Sequence, residues 1–167
     1  PLMDEMKSQR ISYELWPCLI FNDIPSSINA SHKMIVSDAK ERGLEEVCIG
    51  EDDLYFPHKR GWEWFLKHKP DIFDIYSGGN YLPFDKPKEP CAVRVKEIVG
   101  FHLYIIHSRY YDTFLNTDPS KHIDTEQKSD SMFVCWPMPA LQRPGFSANN
   151  KAQCNYNGIL LKEDIYQ

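Results

Sequence analysis

Glu51, Asp52 and Asp53 stand together directly after the apolar triplet Val47-Cys48-Ile49 and Gly50. Three adjacent carboxylates at the end of a buried strand repel one another unless a cation sits among them. Along an extended chain Glu51 and Asp53 fall on one side and Asp52 on the other. Oxygen ligands of this kind suit magnesium or manganese, which keep waters and take substrate phosphates as further ligands. A metal held there would neutralise a leaving diphosphate as a Lewis acid. A solvated acidic turn is the other reading of the same three residues. A second strand end carries its own signal, Ser77-Gly78-Gly79, where glycines allow the backbone to come close to a ligand.

The elements that must position these residues follow from patterning. Residues 11–24 hold a short apolar run broken by Pro17, read as a strand and then a loop. Ser26 and Ser27 are cap residues for a helix from Ile28 to Arg42, with Ile28, Ile35, Val36 and Ala39 on its inner face and Gly43 as its stop. Val47 to Ile49 reads as a strand, and Gly61 to His68 as a helix ending before Pro70. Ile72 to Tyr76 reads as a strand. Residues 80–97, with Pro83, Pro87 and Pro90, read as a long loop. Ile98 to Ile106 is the strongest strand signal; a helix from Ser108 to Asn116 and a strand from Phe133 to Trp136 follow. Strands alternating with helices predict an α/β domain with a mostly parallel sheet flanked by helices, and in such sheets ligands bind beyond the carboxyl ends of the strands.

Composition narrows the partners. The 167 residues fit one domain, 1–167, and 42% hydrophobic with 26% charged residues is the balance of a soluble globular protein. A net charge of −5 gives no basic footprint for nucleic acid. No apolar run approaches the roughly 20 residues that span a bilayer. Cys18, Cys48, Cys91, Cys135 and Cys154 are odd in number and widely spaced, which argues against a disulfide framework or a zinc motif and for a reducing, cytoplasmic setting. The chain begins at Pro1 without methionine, and the expectation is a fragment or a trimmed chain.

A set of ordered motifs points further. SHKMIVSDAKERGLEEVCIGEDDLYF, then FDIYSGGNY, GFHLYIIHSRYYDTFL, KHID and a looser PALQRPGFS, together spanning residues 13–147, resemble the family 25 glycosyltransferases, which include lipooligosaccharide and procollagen galactosyltransferases. The resemblance implies a GT-A-like, Rossmann-like fold lacking its N-terminal strand, with Met3 to Arg10 as a helix remnant and an exposed sheet edge or a partner beside the strand after Ser12. It implies transfer of a hexose from a nucleotide-sugar donor such as a UDP-sugar to a glycan or other hydroxyl acceptor, dependent on Mn2+ or Mg2+ and inverting.

Residue by residue, it implies Asp53 as metal ligand and Glu51 as ligand, ribose contact or partner of a metal-bound water, a role Asp52 shares. Ser31, His32 and Lys33 would approach the nucleotide, and Gly78 and Gly79 the donor or acceptor sugar. Asp124 would be the base toward the acceptor hydroxyl; capping a helix over Thr125 to Lys128 is its alternative. Tyr81, after the glycines, is the candidate for stacking on a sugar ring. Such enzymes often take a third metal ligand, usually His or Asp, near the C-terminus. After Asp130 this chain offers only Glu163 and Asp164 as acids, with Gln142, Ser147 or Asn149 as substitutes. His102 and His107, flanking an apolar strand, read as structural or surface groups. A domain that binds a nucleotide sugar without transferring it and a metal-dependent phosphate-ester hydrolase are the competing functions.

Overall fold

The structure is a computed structural model that describes residues 2–147 and 151–155. It opens with helix α1 (Leu2–Ser8) and an extended segment, then helix α2 (Ile24–Glu41) and strand β1 (Glu46–Gly50). Strand β2 (Leu54–Tyr55), helix α3 (Gly61–Lys67), strand β3 (Ile75–Ser77), strand β4 (Cys91–Val95) and strand β5 (Leu103–His107) follow. A 3-10 turn (Ser108–Tyr110) leads into helix α4 (Tyr111–Leu115). Strands β6 (Met132–Trp136), β7 (Leu141–Gln142), β8 (Gly145–Ser147) and β9 (Ala152–Cys154) close the described chain.

Five strands form one sheet in the order β1-β5-β3-β6-β4. β5 runs antiparallel to both β1 and β3, β6 runs parallel to β3, and β4 runs antiparallel to β6. The fold is therefore α/β, but the expected mostly parallel, GT-A-like sheet is overturned: β3–β6 is its single parallel pair among the described residues. The misreading has a clear source. Alternation of helices and strands predicts crossovers between neighbours, yet β5, distant in sequence, inserts itself between β1 and β3.

β1, β3 and β6 still share one direction, so their carboxyl ends lie on one sheet edge, joined there by the start of β5. Glu51 N donates to His102 O at 3.0 Å and Gly78 N to Leu103 O at 2.9 Å, tying both strand ends to that start. The small β2–β7 ladder pairs Leu54 with Gln142 and Tyr55 with Leu141, which brings β7 back beside the acidic triplet.

The sheet has a core on each face. One gathers Val36, Ala39, Ile49, Tyr104, Phe114 and Met132 under α2 and α4; the other gathers Met6, Leu54, Phe65, Phe73, Tyr76 and Leu103 under α1 and α3. α2 starts earlier than its serines suggest, because Asp23 caps it by accepting from Ser26 N at 2.8 Å and Pro25 sits in the first turn. Gly43, at φ +67, stops it. Two further sequence readings are corrected. Residues 11–21 form no strand, and their backbone is pinned to α2 instead by Leu19 N to Ser31 Oγ and Phe21 N to Ser27 Oγ, each 2.9 Å. The stretch 80–97 contains β4, because Pro87 and Pro90 precede the strand rather than interrupt it.

Candidate functional site

The turn after β1 (Asp52-Asp53, closed by Leu54 N to Glu51 O at 3.2 Å) turns Glu51 and Asp53 toward β7. There they converge on one atom. Gln142 Nε2 donates to Glu51 Oε2 at 3.0 Å and to Asp53 Oδ2 and Oδ1 at 3.2 and 3.3 Å. Tyr81 Oη donates to the other end of the same amide, Gln142 Oε1, in a short contact. Asp52 points away and is exposed, as the alternation predicts.

The cluster is short of positive charge. Burial first, then the charges of Asp53, Asp124 and Asp52, push the Glu51 carboxyl up to about 8, with the Gln142 bond opposing. Burial raises Asp53 as well, against the hydrogen bonds of Gln142 and the charge of Arg143. His32 stands behind Glu51: Nε2 lies 3.6 Å from Glu51 Oε1, and Nδ1 lies 2.8 Å from Tyr104 Oη. Burial drives the His32 pKa down to about 4, so the ring is neutral beside a carboxyl that is itself reluctant to ionise.

On the other flank His102 is wholly buried. Its Nε2 lies 3.1 Å from Ala140 O and its Nδ1 3.4 Å from Tyr81 Oη, and its ring stacks on Tyr81 with centroids 5.5 Å apart. Burial also pushes its pKa down to about 4. Gly78 and Gly79 are buried, and their missing side chains have a packing reason. A Cβ on Gly79 would lie 2.4 Å from His102 Nε2, and one on Gly78 would lie 2.8 Å from Leu103 Cδ2. Gly100, at φ +97, leaves room for the Tyr81 ring in the same way.

Of the residues expected at a site, Glu51, Asp53, His32 and Tyr81 come together, and Asp124 lies close enough for its charge to act on Glu51 and Tyr104. Asp124 caps no helix; Thr125 to Lys128 form a turn and its exit. Its Oδ2 accepts from Gly100 N and its Oδ1 from Thr125 N, both at 2.8 Å. Ser31 serves the 11–21 segment, and Lys33 Nζ donates to Thr117 O at 2.6 Å, its pKa lowered by burial. Ser147 lies in β8; Asn149, Glu163 and Asp164 lie outside the described residues.

Tyr104 is an addition that sequence reading passed over, and His102, read there as a structural or surface group, is a buried one. The available signal was a histidine inside the longest apolar run, since a buried polar group is more informative than an exposed one. Gln142 was visible only as a substitute ligand, because its place beside the triplet depends on the β2–β7 pairing.

The donor set fits a divalent ion that shares its coordination with a ligand. Glu51 and Asp53 are hard oxygen donors, and the Gln142 amide nitrogen stands in as the partial positive charge between them. Among the described residues no three His, Cys, Asp or Glu side chains come together to hold a metal ion. In comparisons with known proteins, no family model and no curated protein sequence matches this chain.

Proposed function

We propose that the chain transfers a hexose from a nucleoside diphosphate, UDP by the motif resemblance, to a hydroxyl acceptor such as a glycan, with Mn2+ or Mg2+ at Glu51 and Asp53. The observation that carries this reading is the convergence of those two carboxylates on Gln142 Nε2, in surroundings that push Glu51 up to about 8. Such a site gains most from a cation that arrives with a diphosphate. The bound ion supplies Lewis-acid stabilisation of the leaving group. The remaining work falls to this chain's own side chains. Gln142 holds Glu51 and Asp53 in register, His32 and Tyr104 stand behind the Glu51 carboxyl, and Tyr81 holds the Gln142 amide from its other end through its hydroxyl. Asp124 would take the acceptor proton through a lone pair not used by its two amide donors.

One observation favours a second reading, donor binding without transfer: both Asp124 oxygens are already committed to backbone amides. Tight metal-dependent UDP binding with no sugar transfer to any acceptor would mark that case. The five cysteines are all free thiols, which suits a reducing compartment, and no helix among the described residues is long and apolar enough to cross a membrane.

The test is thermal stabilisation by UDP, since a ligand that binds only the folded state raises its stability. UDP should raise the melting temperature more in Mn2+ than in chelator, and Asp53→Asn should remove the metal-dependent part while leaving the fold intact. The same increment in the variant would take Asp53 out of the site; no increment in either protein would remove the proposal.

A further inference from the structure

The two edges of the five-stranded sheet are built differently. β4 is preceded by Pro87 and Pro90 and followed by exposed Lys96 and Glu97, with Arg94 exposed within it. Charges and prolines of this kind discourage another strand from adding to an edge. β1 is open along its middle. Its one charge, Glu46, is held by Lys69 Nζ at 2.6 Å, and the rest of the strand is Val47-Cys48-Ile49-Gly50. Glu51 N donates to His102 O, and Ser108 N donates to Glu45 O at 2.7 Å, so the odd-numbered residues bond inward to β5. Glu46, Cys48 and Gly50 turn their N–H and C=O outward, where no partner is found among the described residues. Cys48 and Gly50 are exposed.

Charge gathers at the two ends of this edge, and it has one sign. Glu45 stands before the strand with its side chain 85% exposed, and Glu51-Asp52-Asp53 follow it, Asp52 exposed among them. Neither Glu45 nor Asp52 is paired with a lysine or arginine among the described residues. A second copy of β1 laid antiparallel about Cys48 would set Glu45 of one copy against Glu51 of the other, so these ends repel a like strand. The same carboxylates attract a strand of opposite charge. Glu45 and Asp52 are seven positions apart, about 23 Å along an extended chain, a span that a short segment covers with one cation at each end.

We infer that the β1 edge takes an extended segment of a partner protein, laid antiparallel, with a lysine or arginine at each end of a short uncharged run rich in β-branched residues. The segment pairs its backbone with the outward N–H and C=O of Glu46, Cys48 and Gly50, and these main-chain bonds supply the affinity. Its two cations lie beside Asp52 and Glu45 and fix the register, because a slip by one residue moves both cations off their carboxylates and turns every side chain to the other face. The net charge of −5 adds long-range attraction for a basic segment, which salt screens. The interaction stands apart from sugar transfer: Asp52 points away from Gln142, on which Glu51 and Asp53 converge.

Fluorescence anisotropy with a labelled, end-capped probe peptide, Lys-Thr-Val-Thr-Ile-Thr-Val-Arg, tests this on the full chain. The expected dissociation constant is on the order of 100 µM at low salt, weakening as salt is added. The same peptide with glutamate at both ends should not bind at these concentrations. Reversing the two charges in the protein, Glu45→Lys with Asp52→Lys, should weaken the basic peptide about tenfold. Cys48→Pro removes an outward donor and no internal bond, and, folded by circular dichroism, should weaken it at least as much. Equal binding of the acid-ended peptide overturns the inference, and that comparison needs no variant to fold. Unchanged binding in the folded Cys48→Pro protein also overturns it, because the peptide then sits on acidic surface away from the edge. A chain that sediments as a dimer which the peptide does not dissociate does so as well, because a second copy then covers β1.

Discussion

Glu51 sits in surroundings that raise its pKa to about 8, while burial holds His32 and His102 near 4. These shifts have opposite consequences for the metal-free protein. A carboxyl that binds its proton more tightly when folded must be ionised against that preference at high pH. Its contribution therefore turns unfavourable as pH rises from the unfolded value of 4.5 and is fully unfavourable above about 8. The two histidines stay neutral when folded, but the unfolded chain takes up their protons below 6.5, so stability is also lost as pH falls from 6.5 through about 4. In chelator, Glu51→Gln should melt above wild type at pH 9 and close to it at pH 5. The gap should be about 2–4 °C for each kcal/mol of relief. Calorimetry at the two pH values checks this, and coincident curves at pH 9 would mean that the Glu51 charge is already well solvated.

At the scale of elements, sequence legibility tracked how local the determining forces are. α2, β1 and α3 were readable because periodicity, Gly43 and Pro70 act within a few residues. The position of Glu51-Asp52-Asp53 at a strand end came from the same local logic. Strand direction was not readable: the insertion of β5 between β1 and β3 is decided by side-chain packing between residues far apart in the chain. β4 was hidden by its neighbouring prolines, and Gln142 by a two-residue ladder too short to leave a pattern. The role of Asp124 depends on how two such segments meet. It clamps the 98–102 approach to β5 onto the turn after Ile123 by accepting from Gly100 N and Thr125 N. Asp124→Asn keeps the shape but removes the charge and one acceptor oxygen. A clamp predicts a loss of about 1–3 kcal/mol in urea unfolding, the usual cost of leaving a buried donor unpaired. A base predicts turnover lower by roughly a hundredfold with little change in UDP affinity. A variant with wild-type stability and wild-type turnover would deny Asp124 both roles.

Across the whole molecule, the first helix is wired to the residue that follows β7, and the wire runs past the acidic cluster. Glu5 Oε2 accepts from Arg143 Nη2 at 3.0 Å, and its Oε1 accepts from Phe56 N at 3.1 Å. Gln9 adds a second tie, donating to His58 O at 2.8 Å and accepting from Trp62 N at 3.2 Å. Arg143 N in turn donates to Asp53 O at 2.8 Å, and the residue follows Gln142, so α1 helps to set where β7 lies against the triplet. The Arg143 guanidinium also lies over the Tyr55 ring, 5.3 Å from its centroid. Removing Glu5 leaves the Phe56 N–H without its acceptor and Arg143 without its ion pair. Glu5→Ala should therefore cost about 1–3 kcal/mol in urea unfolding. Combined with Arg143→Ala, the double-mutant cycle should show a coupling of about 0.5–3 kcal/mol, because the two changes share one interaction. The functional consequence is sharper. Glu5 touches none of the proposed ligand-binding groups, yet its loss should weaken Mn2+-dependent UDP binding several-fold by releasing β7 and Gln142 from the carboxylates. Additive stabilities together with unchanged nucleotide binding would show that α1 merely covers the core and does not position the site.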